Sequence, residues 1–391
     1  MNLTKSPKLS GRCGSRHCCC FHDMNFKLRG LKVKFTFFPT IFSLQYRQLN
    51  SKPTYPMSKK RVAINGFGRI GRAVARIILS DFADELELVA INDPSPTETT
   101  AHLFKFDSNY GTYDKEIVIE DEGDKKFLNV GGVKVQSFST REIINLPWGD
   151  LGIDIVLECT GVFRTTEKCQ PHIDQGAKKV LLSAPAKDDG FKSIVLGVNE
   201  EQLEDSDVFV SNASCTTNCL APVAKVLHDN FEIKAGLMTT IHAYTNDQRI
   251  LDVGHKDLRR ARAGAVNMIP TSTGAAKAVG IVIPSLKGKM TGLAVRVPTP
   301  TVSLVDLVVK VGKTVTAEEV NAALKKESDA NPTILGFETR PCVSKDFQCD
   351  PRSSIVDAAE TMVIDDMVKI LTWYDNEWGY SVRFVELATM M

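Results

Sequence analysis

Cys215 is the residue of this sequence best placed to act as a nucleophile. It lies in the segment Ser211-Asn-Ala-Ser-Cys-Thr-Thr-Asn-Cys219, where a short apolar strand is followed by a predicted helix. A cysteine at the first turn of a helix is close to unpaired N–H groups and to the positive end of the helix dipole, and both favour the thiolate. Cys219, one turn further on, lacks other ligands at metal-binding spacing and is interpreted as structural.

A cysteine nucleophile needs a base, and His242 on the predicted strand Leu237–Ala243 is the candidate. A histidine in a strand is more often a packed residue, but polar groups suited to an anion occur near it in the sequence. They are the hydroxyls and backbone N–H groups of Thr245, Asp247, Thr273 and Gly274, and the guanidinium groups of Arg259, Arg260, Arg262 and Arg296. Arg296 stands inside an apolar strand, so surface solvation does not explain it well.

A glycine-rich turn near the start of the folded sequence predicts a dinucleotide site. The strand Arg61–Asn65 is followed by Gly66-Phe-Gly-Arg-Ile-Gly71 and then by a helical segment, Arg69–Leu79. Gly66 permits the tight turn, Gly68 allows the backbone to approach a pyrophosphate, and Gly71 brings the helix close to the strand. An ordinary glycine turn is the alternative interpretation, and the strand and helix on either side make it less favoured.

Asp93 predicts which dinucleotide this site prefers. It ends a second strand, Leu86–Asn92, at the distance after Gly71 that is typical of a ribose-binding acid. A carboxylate accepts hydrogen bonds from both ribose hydroxyls but repels a 2′-phosphate. The sequence therefore favours NAD over NADP.

Alternating strands and helices predict the architecture of this half of the chain. Strands at Ile153–Leu157 and Lys179–Leu182 flank a helix-compatible stretch, Thr165–Gln175. This alternation is typical of a doubly wound parallel sheet of the Rossmann type, whose ligands bind at the carboxyl ends of the strands. Two polar turns, Glu158–Gly161 and Ser183–Pro185, are predicted at such ends.

Composition limits the class of protein. With 391 residues and 43% hydrophobic residues, the chain is long enough for two domains. The net charge of +1 gives no overall field that would attract nucleic acid or an anionic membrane. No apolar run is long enough to span a bilayer, and cysteine usage after the first twenty residues is that of a reduced enzyme. A cytoplasmic protein with no membrane or nucleic-acid partner is expected.

Residues 1–56 are expected to lie outside the fold. They are rich in Lys and Arg, contain Asp23 as the one acidic residue, and have no clear helical or strand period. They are either an organelle targeting peptide or sequence upstream of a true start at Met57. The cluster Cys13, His17, Cys18, Cys19, Cys20 and His22 lacks paired ligand spacing, so no metal site is predicted.

Several motifs together resemble the glyceraldehyde-3-phosphate dehydrogenase family. They are SNASCTTNCLAP at 211–222, TTIHAYTNDQ at 239–248, PTSTGAAKAV at 270–279 and WYDNEWGYS at 373–381. The resemblance covers 57–391, and the motifs at 256–262 and 350–354 are similar to the bacterial and organellar branch. It implies a Rossmann domain at 57–211, an α+β catalytic domain with a mostly antiparallel sheet at 212–372, and a segment at 373–391 that returns to the first domain.

The resemblance also implies the reaction. In the family, a cysteine at the position of Cys215 attacks the aldehyde of D-glyceraldehyde 3-phosphate, and a histidine at the position of His242 accepts a proton as hydride leaves for NAD. Inorganic phosphate then cleaves the acyl thioester to give 1,3-bisphosphoglycerate, a step of glycolysis and gluconeogenesis. This is covalent catalysis assisted by a general base.

By the same resemblance, other residues bind phosphate and the cofactor. The attacking phosphate would bind Ser214, Thr216, Thr273 and Gly274, and the substrate phosphate would bind Thr245 and Arg296, with Arg259 as a further addition. NAD would bind Arg69 and Ile70 at the pyrophosphate, Asp93 at the ribose, Arg141 and Ser183 near its two ends, and Asn376 at the carboxamide. The family is homotetrameric, and the loop at 244–270 would reach a neighbouring subunit's cofactor site.

Three alternatives remain open from the sequence. Val253-Gly254 replaces the Leu-Pro that NAD-specific relatives usually have, so some use of NADP is possible. Erythrose-4-phosphate dehydrogenase shares the cysteine and the histidine but releases the acid by hydrolysis. A binding protein that has lost catalysis on the same fold is the third alternative, and intact Cys215, His242 and Arg296 disfavour it.

Overall fold

A computed structural model of the chain describes residues 59–391. The predictions for residues 1–56, for a start at Met57 and for the cluster from Cys13 to His22 lie outside the described residues. Within residues 59–391, no helix has the length and apolar character needed to cross a membrane.

The first half of the described chain forms a nine-stranded sheet. Its elements are β1 Lys60–Asn65, α1 Arg69–Asp81, β2 Leu86–Asn92, α2 Thr97–Lys105, β3 Phe106–Asp107, β4 Gly111–Thr112, β5 Ile117–Glu122, β6 Lys125–Val130, β7 Val133–Phe138, β8 Ile155–Glu158, α3 Thr166–Asp174, β9 Lys179–Leu182, β10 Lys192–Ser193 and β11 Phe209–Ser211. The strand order is β10-β11-β9-β8-β1-β2-β7-β6-β5, and β3 pairs separately with β4. Strands β10 to β7 are parallel, while β6 and β5 extend the edge in antiparallel fashion. The predicted doubly wound parallel sheet is confirmed.

The second half forms an eight-stranded sheet. Its elements are α4 Cys215–Phe231, β12 Ala235–Ala243, β13 Ile269–Ser272, α5 Ala275–Val282, β14 Met290–Val297, β15 Ser303–Lys310, α6 Ala317–Ala330, β16 Leu335–Glu338, β17 Ser354–Asp357, β18 Met362–Ile364 and β19 Met367–Tyr374. The order is β13-β14-β12-β15-β19-β17-β16, with β18 on β19. Only the β12–β14 and β16–β17 pairings among these strands are parallel. The predicted, mostly antiparallel catalytic sheet is confirmed.

The C-terminal segment leaves the second sheet slightly later than the sequence suggested. Trp373 and Tyr374 are still paired with β15, so the segment that returns begins at Asp375 and not at Trp373. A last helix, α7 Trp378–Met390, then packs against α1. Its apolar side chains, such as Phe384, join the core formed by β1 and α1. The strand pairing decides the boundary, because the ladder with β15 continues to Tyr374, the last residue of β19.

Candidate active site

A tight turn between β11 and α4 presents Cys215. Ala213 has a left-handed backbone conformation, with φ of 54°, which is unusual for a residue with a side chain. Ser214 caps the helix, because its hydroxyl accepts a hydrogen bond from the Thr217 N–H at 3.0 Å. The Asn218 amide donates to the carbonyl oxygens of Asn212 and Ser214. These contacts hold Cys215 as the first residue of α4.

His242 lies directly beside this thiol. It is near the end of β12, in the middle of the second sheet, and its side chain is 4% exposed. Its Nε2 is 3.5 Å from the Cys215 Sγ. The structure therefore brings together the two residues that the sequence proposed as nucleophile and base, although 27 positions separate them in the chain.

The other ring nitrogen of His242 meets two groups. Nδ1 is 2.7 Å from the carbonyl oxygen of Ala243 and 2.7 Å from Nη1 of Arg296, which stands opposite His242 in the β12–β14 register. Burial, followed by the positive charge of Arg296, lowers the pKa of His242 to about 3, although the Ala243 contact acts in the opposite direction. The imidazole is therefore neutral at physiological pH and able to accept a proton.

The state of Cys215 differs from the sequence-based expectation. Burial raises the pKa of the thiol above its ordinary value, whereas the charge of Arg296, the Thr216 hydroxyl and the backbone N–H groups of Thr216 and Cys215 lower it. The helix N-terminus thus acts in the predicted direction, but desolvation outweighs it. Burial therefore favours the thiol form of Cys215 beside the neutral imidazole of His242.

Tyr374 is a neighbour of this pair that sequence reasoning missed. Its hydroxyl lies 2.9 Å from the hydroxyls of both Thr216 and Thr240. Its ring meets the His242 ring edge to face, with centroids 6.0 Å apart. Tyr374 is 2% exposed and packs against the imidazole of His242. Its place in the aromatic motif at 373–381 was the available signal.

Arg296 has the properties of an anion-binding residue. No Asp or Glu forms an ion pair with it within residues 59–391, and its buried Nε has no hydrogen-bond partner there. Its Nη1 contacts Nδ1 of His242 and the carbonyl oxygen of Ala243, but a guanidinium without a carboxylate partner is poorly satisfied unless an anion binds to it. Thr245 is nearby in the chain, three residues after His242, and its N–H donates to Gln248 at 2.8 Å.

The other residues proposed to bind phosphate differ in their burial and hydrogen bonds. The Thr216 side chain is buried against Tyr374, and Ser214 serves as the cap of α4. The Thr273 hydroxyl accepts a hydrogen bond from the Ala275 N–H, and Gly274 begins α5 without a side-chain cap. Arg259 is exposed and reaches only the carbonyl oxygen of Pro270, so the structure does not bring it into contact with Cys215 or His242.

The glycine turn forms a cradle with little room for side chains. Gly66 has φ of +93°, and a Cβ there would lie 2.6 Å from the backbone nitrogen of Thr160. A Cβ on Gly71 would lie 2.2 Å from the carbonyl oxygen of Gly66, whereas Gly68 faces open space. Helix α1 starts after Gly68 with no side-chain cap, so its first N–H groups are open to a ligand. These features fit the pyrophosphate of a dinucleotide.

Asp93 and Arg69 flank this cradle in different ways. The Asp93 carboxylate is half-buried and accepts a hydrogen bond from the Phe67 N–H at 3.0 Å. The Arg69 guanidinium is bound to Glu377 at 2.6 Å and to Asp107, and these partners outweigh its burial and raise its pKa. Its side chain therefore links α1 to the start of α7, and its backbone N–H remains at the uncapped start of α1. Ile70 follows it, half-buried, in the first turn of α1.

The remaining proposed cofactor residues lie on three separate segments. Arg141 is exposed after β7, and Ser183 is half-buried at the end of β9. Asn376 is buried, and its side-chain oxygen accepts a hydrogen bond from the Ser303 hydroxyl at 3.0 Å. That hydroxyl also accepts from the N–H of Ala243, the neighbour of His242. Ser303, which the sequence did not single out, thus joins the cofactor side of the site to the base.

Comparison with known proteins gives consistent matches over most of the chain. The model of the glyceraldehyde 3-phosphate dehydrogenase NAD binding domain matches residues 60–166, and that of the C-terminal domain matches residues 214–376. Glyceraldehyde-3-phosphate dehydrogenase of Zymomonas mobilis is 52% identical over 334 residues, which are 85% of this chain and 98% of that protein. Glyceraldehyde-3-phosphate dehydrogenase 2 of Bacillus subtilis is 53% identical over 84% of this chain and 96% of its own length. The chloroplastic glyceraldehyde-3-phosphate dehydrogenase A of Chlamydomonas reinhardtii is 52% identical over 84% of this chain and 88% of its own. The chain therefore belongs to the glyceraldehyde-3-phosphate dehydrogenase family.

Proposed function

We propose that the chain catalyses the phosphorylating oxidation of D-glyceraldehyde 3-phosphate to 1,3-bisphosphoglycerate, with NAD and inorganic phosphate as co-substrates. The observation that carries this proposal is geometric: Nε2 of His242 lies 3.5 Å from the Cys215 Sγ, and Arg296, which has no carboxylate partner within residues 59–391, lies beside the imidazole. The family membership and the glycine cradle support it.

In the first step, the Cys215 thiol gives its proton to Nε2 of His242 while Sγ attacks the aldehyde carbon. The alkoxide takes that proton and a hemithioacetal results. Nε2 then removes the hydroxyl proton as the carbon loses its hydride and becomes the thioester carbonyl. NAD, when bound, supplies the hydride acceptor. An oxygen of inorganic phosphate finally attacks the carbonyl, the C–S bond breaks, and the sulfur regains a proton.

For the cofactor, the residues proposed are the Gly66–Gly71 turn, Asp93, Arg141, Ser183 and Asn376. Since the Arg69 guanidinium is bound to Glu377 and Asp107, we assign Arg69 to the pyrophosphate through its backbone N–H only. Ile70 contributes in the same way from the next position.

For the two phosphate groups, Arg296 is the strongest candidate because it lacks a carboxylate partner. We assign Arg296 and Thr245 to the substrate phosphate. Ser214, Thr216, Thr273 and Gly274 are assigned to the attacking phosphate, with helix α5 starting at Ala275 as a further source of N–H groups. Arg259 is assigned to phosphate by family resemblance alone, because its exposed side chain bonds the carbonyl oxygen of Pro270 and does not contact Cys215 or His242.

The test is formation of NADH, followed by absorbance, with D-glyceraldehyde 3-phosphate as substrate. We expect a rate that depends on inorganic phosphate. A rate independent of phosphate, or faster with erythrose 4-phosphate, would assign the chain to the hydrolytic relative. No NADH with either aldehyde would identify a binding protein without catalysis. Titration with NADP in the same assay gives kcat/KM for NADP relative to NAD, and so tests whether a chain with Val253-Gly254 also uses NADP.

A homotetramer is the proposed assembly. The segment 244–268 exposes large apolar side chains, at Ile250, Leu251, Val253, Leu258, Val266 and Met268. Apolar side chains of this size gathered on one segment are typical of a surface covered by another subunit. Light scattering coupled to size-exclusion chromatography should give four times the chain mass. Leu258→Arg should reduce that mass, and an unchanged tetramer in the variant would show that this segment is not an interface.

We also propose a cytoplasmic location, because of the state of the cysteines. The cysteines described are all free thiols, as expected in a reducing compartment. Mass spectrometry of the mature N-terminus would distinguish this from import into an organelle, because import removes a targeting peptide.

A further inference from the structure

Five buried polar residues form a connected group beneath the glycine cradle. Asn65, Asn92 and Glu158 end the adjacent strands β1, β2 and β8, His172 comes from α3, and Trp148 precedes β8. Their exposed fractions range from 0% to 5%. We call this group the buried polar network. Neither the reaction steps nor the proposed cofactor contacts use any of its members.

The hydrogen bonds of the network converge on the Glu158 carboxylate. The Trp148 Nε1–H can only donate, and it lies 3.0 Å from Nδ1 of His172. The neutral ring therefore has its proton on Nε2, which is 3.3 Å from a carboxylate oxygen of Glu158. Asn65 donates to the same oxygen at 2.6 Å, and Asn92 donates to the Asn65 side-chain oxygen at 2.8 Å. A flip of the Asn65 amide would place its nitrogen against that of Asn92, and a flip of the Asn92 amide would place its nitrogen against the N–H of Thr140.

The network reaches the backbone at two turns of the cofactor site. The second oxygen of Glu158 accepts hydrogen bonds from the N–H of Thr160, at 2.8 Å, and from its hydroxyl. The backbone nitrogen of Thr160 is also the atom 2.6 Å from the Cβ position of Gly66, so the Thr160 turn packs directly against the glycine cradle. On the other side, Asn92 bonds both the N–H and the carbonyl of Thr140, each at 3.1 Å. Thr140 precedes Arg141.

Stability alone is a weak reason for such a group. Glu158 is fully buried, and no Lys or Arg in residues 59–391 pairs with it, so its desolvation is offset only by hydrogen bonds. Apolar residues of similar volume often stabilise a core at least as well. What apolar residues cannot do is fix the orientation of three strand ends and two loops at once.

We propose that the buried polar network positions the glycine cradle, Asp93 and the Arg141 loop for the dinucleotide, and that His172 and Trp148 are positioning residues for NAD. The inference rests on the proposed use of NAD. It predicts that loss of a network hydrogen bond weakens cofactor binding in the folded protein, without affecting the steps at Cys215 and His242.

The test compares His172→Leu with His172→Gln by isothermal titration calorimetry. His172→Leu removes one donor to Glu158 and the acceptor of Trp148, and we expect the Kd for NAD to rise about tenfold. ADP-ribose should lose affinity by the same factor, because the proposal assigns the glycine cradle and the Arg141 loop to the ADP-ribose half of NAD. His172→Gln keeps a donor and an acceptor and should remain within about threefold of the unmodified chain. At saturating NAD, kcat should be unchanged in both variants.

A matched control separates positioning from general stability. Asn199 is 1% exposed in the same sheet domain and makes three hydrogen bonds of its own, apart from the network. Asn199→Ala should lower Tm but leave the Kd for NAD unchanged. If His172→Leu does not fold, Trp148→Phe gives the same test with one donor removed, and about a threefold rise in Kd is expected.

The outcomes distinguish this inference from the function on which it rests. An unchanged Kd for NAD in folded His172→Leu or Trp148→Phe would overturn the inference, and so would an equal rise in Asn199→Ala. Failure of the unmodified chain to bind NAD would instead refute the proposed function.

Discussion

His242 should make the stability of this protein depend on pH in a predictable way. In the unfolded chain its pKa is near 6.5, and in the folded chain burial and Arg296 lower it to about 3. A folded-state pKa below the unfolded value means that protons bind preferentially to the unfolded chain. The stability contributed by the neutral imidazole is therefore fully present above pH 6.5 and is lost as the pH falls from 6.5 towards 3.

The size of this effect follows from the same two values. At pH 5.0 the histidine is protonated in the unfolded chain and still neutral in the folded one, and the pH lies about 1.5 units below the unfolded pKa. At about 1.4 kcal/mol per unit, the folded state loses about 2 kcal/mol relative to neutral pH. His242→Asn removes the titrating group and should remove that part of the pH dependence.

Urea unfolding at pH 7.5 and pH 5.0 measures the effect. The unmodified chain should lose about 2 kcal/mol more between the two pH values than His242→Asn does. Cys215→Ser, which leaves the imidazole in place, serves as the control and should behave like the unmodified chain. An equal loss in all three proteins would refute the reasoning, because it would mean that the fold does not hold His242 neutral.

Four further predictions concern the reaction and the chain start. Cys215→Ser should abolish turnover but leave the calorimetric Kd for NAD within a few fold, and substantial residual turnover would exclude the thioester route. Asp93→Ala should weaken NAD binding and raise the NADP to NAD ratio of kcat/KM; an unaltered ratio would make Asp93 a turn residue only. In single-turnover experiments His242→Asn should slow hydride transfer by about 10²- to 10⁴-fold and alkylation of Cys215 by less, whereas unchanged rates for both would mean that another group is the base. A chain that begins at Met57 should match the full chain in Tm and kcat/KM, and a lower value of either would show that residues 1–56 contribute to the fold.

Local sequence patterns predicted much of the architecture. The glycine turn, the strand before it and the helix after it are consecutive in the chain, so their geometry follows from short-range rules. The same is true of Cys215 at the start of α4, where Ser214 supplies the cap. Alternating strands and helices predicted the parallel sheet, and the family resemblance implied the mostly antiparallel one; the fold confirms both.

Contacts between distant residues explain what the sequence could not predict. Arg69 is bound by Glu377, 308 positions away, and no local pattern distinguishes that pairing from a phosphate contact. The pKa of Cys215 rises because the whole fold buries the thiol. The helix N-terminus, which the local sequence predicts, lowers that pKa. Tyr374 and Ser303 touch the site through strand register, which depends on the completed sheet.

The return of the C-terminal helix also determines the order in which the protein can be completed during synthesis. Val382 and Phe384 of α7 pack in the same hydrophobic core as Val62 and Ile64 of β1. A ribosome makes β1 first and α7 last, so the first sheet lacks part of its core until the final residues emerge. The second sheet has all its strands once Tyr374 has been made. We therefore expect the half that is synthesised first to finish folding last, and a premature stop after β19 to leave the apolar surface of α1 uncovered.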